Sequence, residues 1–149
     1  KARKGGARTI LNAAPARAIP ANVLPLIDIL IVNETELAAA TGRDIDAADL
    51  PAVTTAAKSL ASGGMSVVAT LGAAGALVVT PEATTRVDGV PVKAIDTAGA
   101  GDCFIGGFAA ALARGDDLAT AARYGNRAAS VSVTRKGTAV AMPRESELA

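Results

Sequence analysis

A chain of 149 residues, half of them hydrophobic, is long enough for one α/β domain with a substantial core and too short for two ordinary ones. Its net charge of +1, with both signs interspersed, argues against a nucleic-acid partner; the cluster Lys1, Arg3, Lys4 and Arg8 is a solvated end, and no apolar run approaches the roughly 20 residues of a membrane span. With no histidine and only Cys103, the chain has no Ser-His-Asp chemistry, usual zinc site or internal disulfide, so a general base must be a carboxylate or, failing that, Lys or Tyr, and a soluble, cytoplasmic protein is expected.

In chain order, Thr9–Leu11 followed by Asn12-Ala-Ala-Pro15 predicts a buried strand that ends in a proline-terminated loop. Asp28–Val32 is a second apolar run of strand length, flanked by polar residues as buried parallel strands are. Asn33 then stands as an N-cap, Glu34-Thr35-Glu36 fill a first helical turn, Leu37–Ala40 continue it, and Gly42 follows its end. From Ala47 to Leu60 the apolar residues fall at helical spacing until Ser62-Gly63-Gly64 stops them. Ser66–Leu71 and Ala76–Thr80 predict a hairpin about the tight turn Gly72-Ala-Ala-Gly75. Val90–Ile95 predicts a short final strand, with Pro91 placing it at an edge or a strand start. Two Ala-rich helices follow, from about Gly101 to Ala113 and from about Leu118 to Thr134, separated by Gly115. The predicted strands and helices together give an α/β layered sheet with helices on its faces, with no internal repeat, linker or domain boundary. The chain opens without Met and in mid-pattern, which predicts a piece of something longer.

The segment richest in chemistry is Asp96-Thr-Ala-Gly99-Ala-Gly101-Asp102, between the last predicted strand and a long apolar helix. Glycines there let successive backbone N–H groups turn inward, and the helix behind them adds the positive end of its dipole, so the segment suits an anion. Asp102 would repel a phosphate that was merely bound. Its presence makes sense if it faces an incoming nucleophile and accepts its proton while the amides hold the transferring phosphoryl group. The alternative is a first-turn acid that complements the helix dipole behind an ordinary glycine turn. A P-loop is absent, since no Gly-Lys pair occurs, and the dinucleotide pattern fails because Phe104 stands where its third glycine should be.

Asp96-Thr-Ala-Gly-Ala-Gly-Asp-Cys-Phe104 resembles the signature of the ribokinase, or phosphofructokinase-B type, carbohydrate kinases. Asn33-Glu-Thr-Glu36 resembles the family's N-x-x-E motif; Thr70–Gly75, the Asn12–Arg17 loop and Val133–Gly137 are similar as well, so the resemblance covers essentially the whole chain. It implies the C-terminal, nucleotide-binding part of a ribokinase-like fold, an α/β layered sheet with helices on both faces, over residues 1–149, without the N-terminal sugar-binding part and lid. It implies Asp102 as catalytic base, with Gly99, Ala100 and Gly101 building the anion hole from the amides of Ala100, Gly101 and Asp102. Asn33 and Glu36 would organise Mg²⁺ and phosphates through water, the alternative being a helix cap with a favourable first-turn acid. Thr70, Gly72 and Gly75 would line the ATP site, the alternative being an ordinary hairpin turn. Asn126 falls where ribokinases often carry a His beside the adenine. A monovalent cation, K⁺, would be held by Asp96 with carbonyls of Ala98, Ser132, Arg135 and Gly137 and a group at Ala141, which lacks a side-chain oxygen; the alternative is that 134–137 ends a helix. Cys103 reads as a small packing residue.

The implied activity is transfer of the γ-phosphoryl group of ATP to a sugar hydroxymethyl oxygen, ribose before fructose, ketodeoxygluconate or a nucleoside, because Asn12–Arg17 and Thr134–Gly137 are most similar to the ribokinase branch. The implied partners are nucleotide and sugar, and a homodimer of the intact enzyme would be built through the lid. The contrasting expectation is a non-catalytic nucleotide-binding fragment whose sheet exposes an apolar edge or face.

Overall fold

The computed structural model describes residues 3–46, 48–61 and 63–148, with only the backbone of Arg3; Lys1 of the basic cluster, Ala47 at the predicted helix start and Ser62 in its stop lie outside the described residues. The chain forms two compact units, one of residues 1–71 and 77–86, the other of residues 72–76 and 87–149.

The first unit carries a sheet of five strands in the order β1-β2-β3-β4-β5: β1 Ile10–Asn12, β2 Ile29–Asn33, β3 Ser66–Thr70, β4 Ala76–Val79 and β5 Thr84–Val87, where Ala76 and Val87 count with the second unit. β1, β2 and β3 are parallel, with Ile10 opposite Ile29 and Leu30 opposite Val67. β3 and β4 are neighbours joined by a single 3₁₀ turn, Gly72–Ala74, a connection too short for a parallel crossover, so the sheet is mixed. Ile29 and Ile31 alternate with Leu30 and Val32 along β2 and all four are buried, as its unbroken apolar run requires. Each such buried side chain contributes about 1.5–3 kcal/mol.

Helices α1 Glu34–Thr41 and α2 Leu50–Ala61 follow β2 in succession. In α2 the buried residues Val53, Ala56, Ala57 and Ala61 recur at helical spacing and join Leu30, Val32, Leu37, Val67 and Val79 in one core. α2 begins after Asp49, whose carboxylate accepts the Ala52 N–H at 3.0 Å, and Pro51 sits in its first turn, where its missing donor costs nothing. No α-helix lies between β1 and β2. That connection, which begins with the predicted proline-terminated loop, holds Pro15, Pro20 and Pro25 and one 3₁₀ turn, Leu24–Leu26.

The predicted strand Val90–Ile95 is not formed. Val90, Val92 and Ile95 are exposed, and no strand pairs with the segment among the described residues; β5 at Thr84–Val87, which the sequence reading passed over, is the last strand. A strand is held by its ladder, and alternating apolar residues without a neighbour do not make one.

The second unit carries α3 Ala100–Ala113 and α4 Leu118–Ser132. Phe104 and Phe108 stack along α3 with ring centroids 6.0 Å apart, and both are buried. Cys103 and Ala128 form a small core with Leu148, against which Tyr124 and Val131 pack. Asp117 caps α4 by accepting the Thr120 N–H at 2.7 Å, and that bond is the main reason its carboxyl lies below the usual range. Among the described residues no helix is long and apolar enough to cross a membrane.

Candidate functional site

The turn into α3 is made by Gly99, which has φ 76°, ψ 6° at the N-cap; an L side chain in that conformation is strained, and a Cβ there would lie 3.4 Å from that of Thr138. Asp102 then falls at the third helical position, exposed, and among the described residues no group donates a hydrogen bond to its carboxylate or pairs with it. Ala100 N–H donates to the Thr97 carbonyl at 3.2 Å, closing the turn. Among the described residues no acceptor takes the N–H of Gly101 or Asp102. The anion-binding capacity of this turn therefore rests on Gly101 and Asp102, and Ala100 contributes by closing it. Next to Asp102, Cys103 is buried with its thiol pushed up by desolvation, as a packing residue would be.

Asp96 opens the same segment. One of its oxygens accepts Ala98 N–H at 3.0 Å and the other accepts Gly137 N–H at 2.9 Å, and these bonds, Gly137's first, hold the carboxyl below the usual range. The residues after α4 are thereby drawn to Asp96: the Val133 carbonyl accepts from Ile95 N–H at 2.7 Å and Asp96 N–H at 3.2 Å. The Ser132 carbonyl takes Arg135 N–H at 3.0 Å, whereas the carbonyls of Ala98, Arg135 and Gly137 accept from nothing among the described residues. Ala141 is buried, its N–H given to Thr138. α4 does end here, at Ser132, but the turn beyond it is fixed across 41 positions of sequence by Asp96.

The turn after β3 is backbone packed on backbone. Gly75 has φ 98°, and a Cβ there would stand 2.1 Å from the Val87 carbonyl oxygen and 2.4 Å from Gly89 N. Asn126, buried in α4, donates its side-chain amide to the Asp88 carbonyl at 3.1 Å and the Val87 carbonyl at 3.5 Å. The segment 87–89 is held on one side by Asn126 and fits Gly75 on the other. Gly72, with φ 53° and open space around it, starts the turn, and Thr70 before it gives its hydroxyl to the Val32 carbonyl at 3.4 Å.

In the first unit, Asn33 and Glu36 form a full capping box. Asn33 Oδ1 accepts Glu36 N–H and Glu36 Oε2 accepts Asn33 N–H, each at 2.8 Å, and Gly42 ends the helix in the left-handed region. Glu36 is buried by this arrangement, and its other oxygen accepts from no protein group among the described residues. Among the described residues no cluster of three or more His, Cys, Asp or Glu side chains stands ready to hold a metal.

The profile of the "pfkB family carbohydrate kinase" matches residues 1–145. A ribokinase of Haemophilus influenzae is 40% identical over 147 residues, which are 98% of this chain and 47% of the relative. A deoxyribokinase of Salmonella typhi is 37% identical over 143 residues, 95% of this chain and 46% of the relative. Among solved structures, the ribokinase of Arabidopsis thaliana complexed with ribose and ATP superposes with a TM-score of 0.88 at 30% identity, over 97% of this chain and 47% of that one. The chain spans about half the length of the curated relatives it matches. A family profile matching nearly every residue, together with this superposition, shows that the chain belongs to the pfkB family of carbohydrate kinases, with the ribokinase fold.

Proposed function

We propose that this chain carries the phosphoryl-transfer half of an ATP-dependent sugar kinase, with ribose as the first acceptor and ribose 5-phosphate as product. The observation that carries the reading is the Asp102 carboxylate, exposed and without a partner among the described residues, on a helical turn whose Gly101 and Asp102 amides likewise meet no acceptor among them. An acid that only stabilised a helix would gain by closing onto the turn; Asp102 is open to a substrate hydroxyl instead. As the hydroxymethyl oxygen attacks the γ-phosphorus, its proton passes to Asp102, the bond to the β-phosphate oxygen breaks, and ADP leaves. The Gly101 and Asp102 amides, with the α3 dipole behind them, stabilise negative charge on the transferring group.

The Thr70–Gly75 turn takes the nucleotide, with glycine backbone against it. Asn126, with its amide already given to the 87–88 carbonyls, serves that turn by fixing the backbone on which Gly75 rests. Asn33 and Glu36 hold each other through one oxygen each, and the second Glu36 oxygen, with no protein partner among the described residues, is left to accept from a water of Mg²⁺. When bound, Mg²⁺ neutralises charge on the phosphates. Asp96, one carboxylate among the uncharged free carbonyls of Ala98, Arg135 and Gly137, offers oxygen donors of low total charge, the set suited to a hard monovalent cation such as K⁺. Ser132, whose carbonyl is already bonded, has the weaker claim to that site, and Ala141 offers it no side-chain oxygen.

The test is acceptor-dependent ADP formation by the protein expressed from its complete reading frame, with ribose, 2-deoxyribose and fructose. 2-Deoxyribose belongs in the panel because the Salmonella typhi relative bears that specificity in its name. The expected result is the highest kcat/KM with ribose; ADP formation that no sugar stimulates contradicts the reading.

A further inference from the structure

The Ser132–Gly137 turn is tied to the rest of its unit in two ways. Asp96 holds its Gly137 end and its Val133 carbonyl through backbone N–H groups and its own carboxylate. The second tie is a side chain: the Arg135 guanidinium pairs with Glu147. Glu147 lies in a 3₁₀ turn, Glu145–Glu147, and its second carboxylate oxygen accepts Arg144 N–H at 2.8 Å while its own N–H goes to the Arg144 carbonyl at 2.9 Å. The carboxylate is thus fixed at both oxygens. The 3₁₀ turn is anchored as well. Leu148 is buried with Cys103 and Ala128, and Glu145 meets the Arg114 guanidinium at 3.4 Å, at the end of α3, where Arg114 also lies over the Tyr124 ring at 4.3 Å.

We propose that Glu147 is a positioning residue: acting through Arg135, it holds the turn after α4 so that the Arg135 and Gly137 carbonyls stay free for a monovalent cation at Asp96. The proposal rests on the reading of Asp96 and this turn as a cation site. A cation held by several backbone carbonyls is bound only as well as the backbone is ordered, because each oxygen must be placed at once. The Arg135–Glu147 pair is about two-fifths exposed on each side, so it adds little to global stability. Its effect falls on Arg135 itself, whose carbonyl is one of the proposed ligands.

The test is a titration of the thermal unfolding midpoint with KCl, against choline chloride at constant ionic strength, using the protein from its complete reading frame. Wild type is compared with Glu147→Gln and with Arg135→Gln, which removes the same pair from its other side. In wild type K⁺ raises the midpoint and choline does not. In both variants the half-saturating K⁺ concentration rises by about two- to fivefold, the range expected for losing one exposed ion pair, while nucleotide affinity is unchanged. A pair that only stabilised the fold would lower the midpoint in choline and leave the half-saturating concentration where it was; that result overturns the role of Glu147 and leaves the cation site standing. No K⁺-specific shift in wild type removes the cation site, and the proposal with it.

Discussion

Two helices of this chain begin with an acid at the third helical position, and the two acids are used in opposite ways. At α1 the N-cap is Asn33 in an extended conformation, and Glu36 folds back onto the Asn33 N–H and is buried. At α3 the N-cap is Gly99 in the left-handed region, with no side chain to cap the turn, and Asp102 stays exposed with no partner for its carboxylate among the described residues. The first acid is spent on holding a helix end. The second, one methylene shorter and behind a left-handed glycine, accepts no N–H of its own turn among the described residues, so only half of the capping-box pattern is present at α3.

Stability measurements on single variants probe the two helix starts separately. The largest expected loss is for Gly99→Ala, about 1–2 kcal/mol in urea unfolding, because an L residue must enter the left-handed region. A neutral result would mean that the turn into α3 does not depend on that backbone. Asn33→Ala is expected to cost about 1 kcal/mol, the loss of an N-cap that also frees Glu36 from its partner. Should it cost nothing, the capping box is not what fixes Glu36. Glu36→Gln keeps an acceptor for the Asn33 N–H and removes only the charge at the helix start, so about 0.3–1 kcal/mol is expected, falling with added salt. A larger loss that salt does not reduce would assign Glu36 a further role in the core.

The α1 end was legible because all its parts are local: Asn33, Glu36 and Gly42 lie within one helix and each has a preferred position. The Gly99-Ala-Gly-Asp102 segment was legible as a glycine turn into a helix for the same reason, but the sequence does not show that Ala100 N–H closes on Thr97 and leaves the Gly101 and Asp102 amides without an acceptor among the described residues. β5 was missed because Thr84-Thr85-Arg86-Val87 is short and partly polar, while Val90–Ile95 has the better strand pattern and no partner. Whether a pattern becomes a strand depends on a neighbour elsewhere in the chain. Contacts over long separations were invisible for that reason: Asp96 to Gly137 across 41 positions, and Asn126 to Asp88 across 38. The position of Asn126 was marked in the sequence; its use, holding backbone carbonyls, is a property of the folded chain.

If Asp102 is the base that takes the hydroxyl proton, Asp102→Asn removes that function alone, since the amide keeps the size and the helix start but is no proton acceptor. Turnover with ribose and ATP, and the ATP Kd, are measured on the same preparation of the protein from its complete reading frame. The account predicts that kcat falls by about 10²- to 10⁴-fold, while the Kd for ATP stays the same or tightens as a negative charge near the phosphates is removed. Turnover within a fewfold of wild type would contradict it, leaving Asp102 a helix-dipole acid and the free carboxylate without a chemical role.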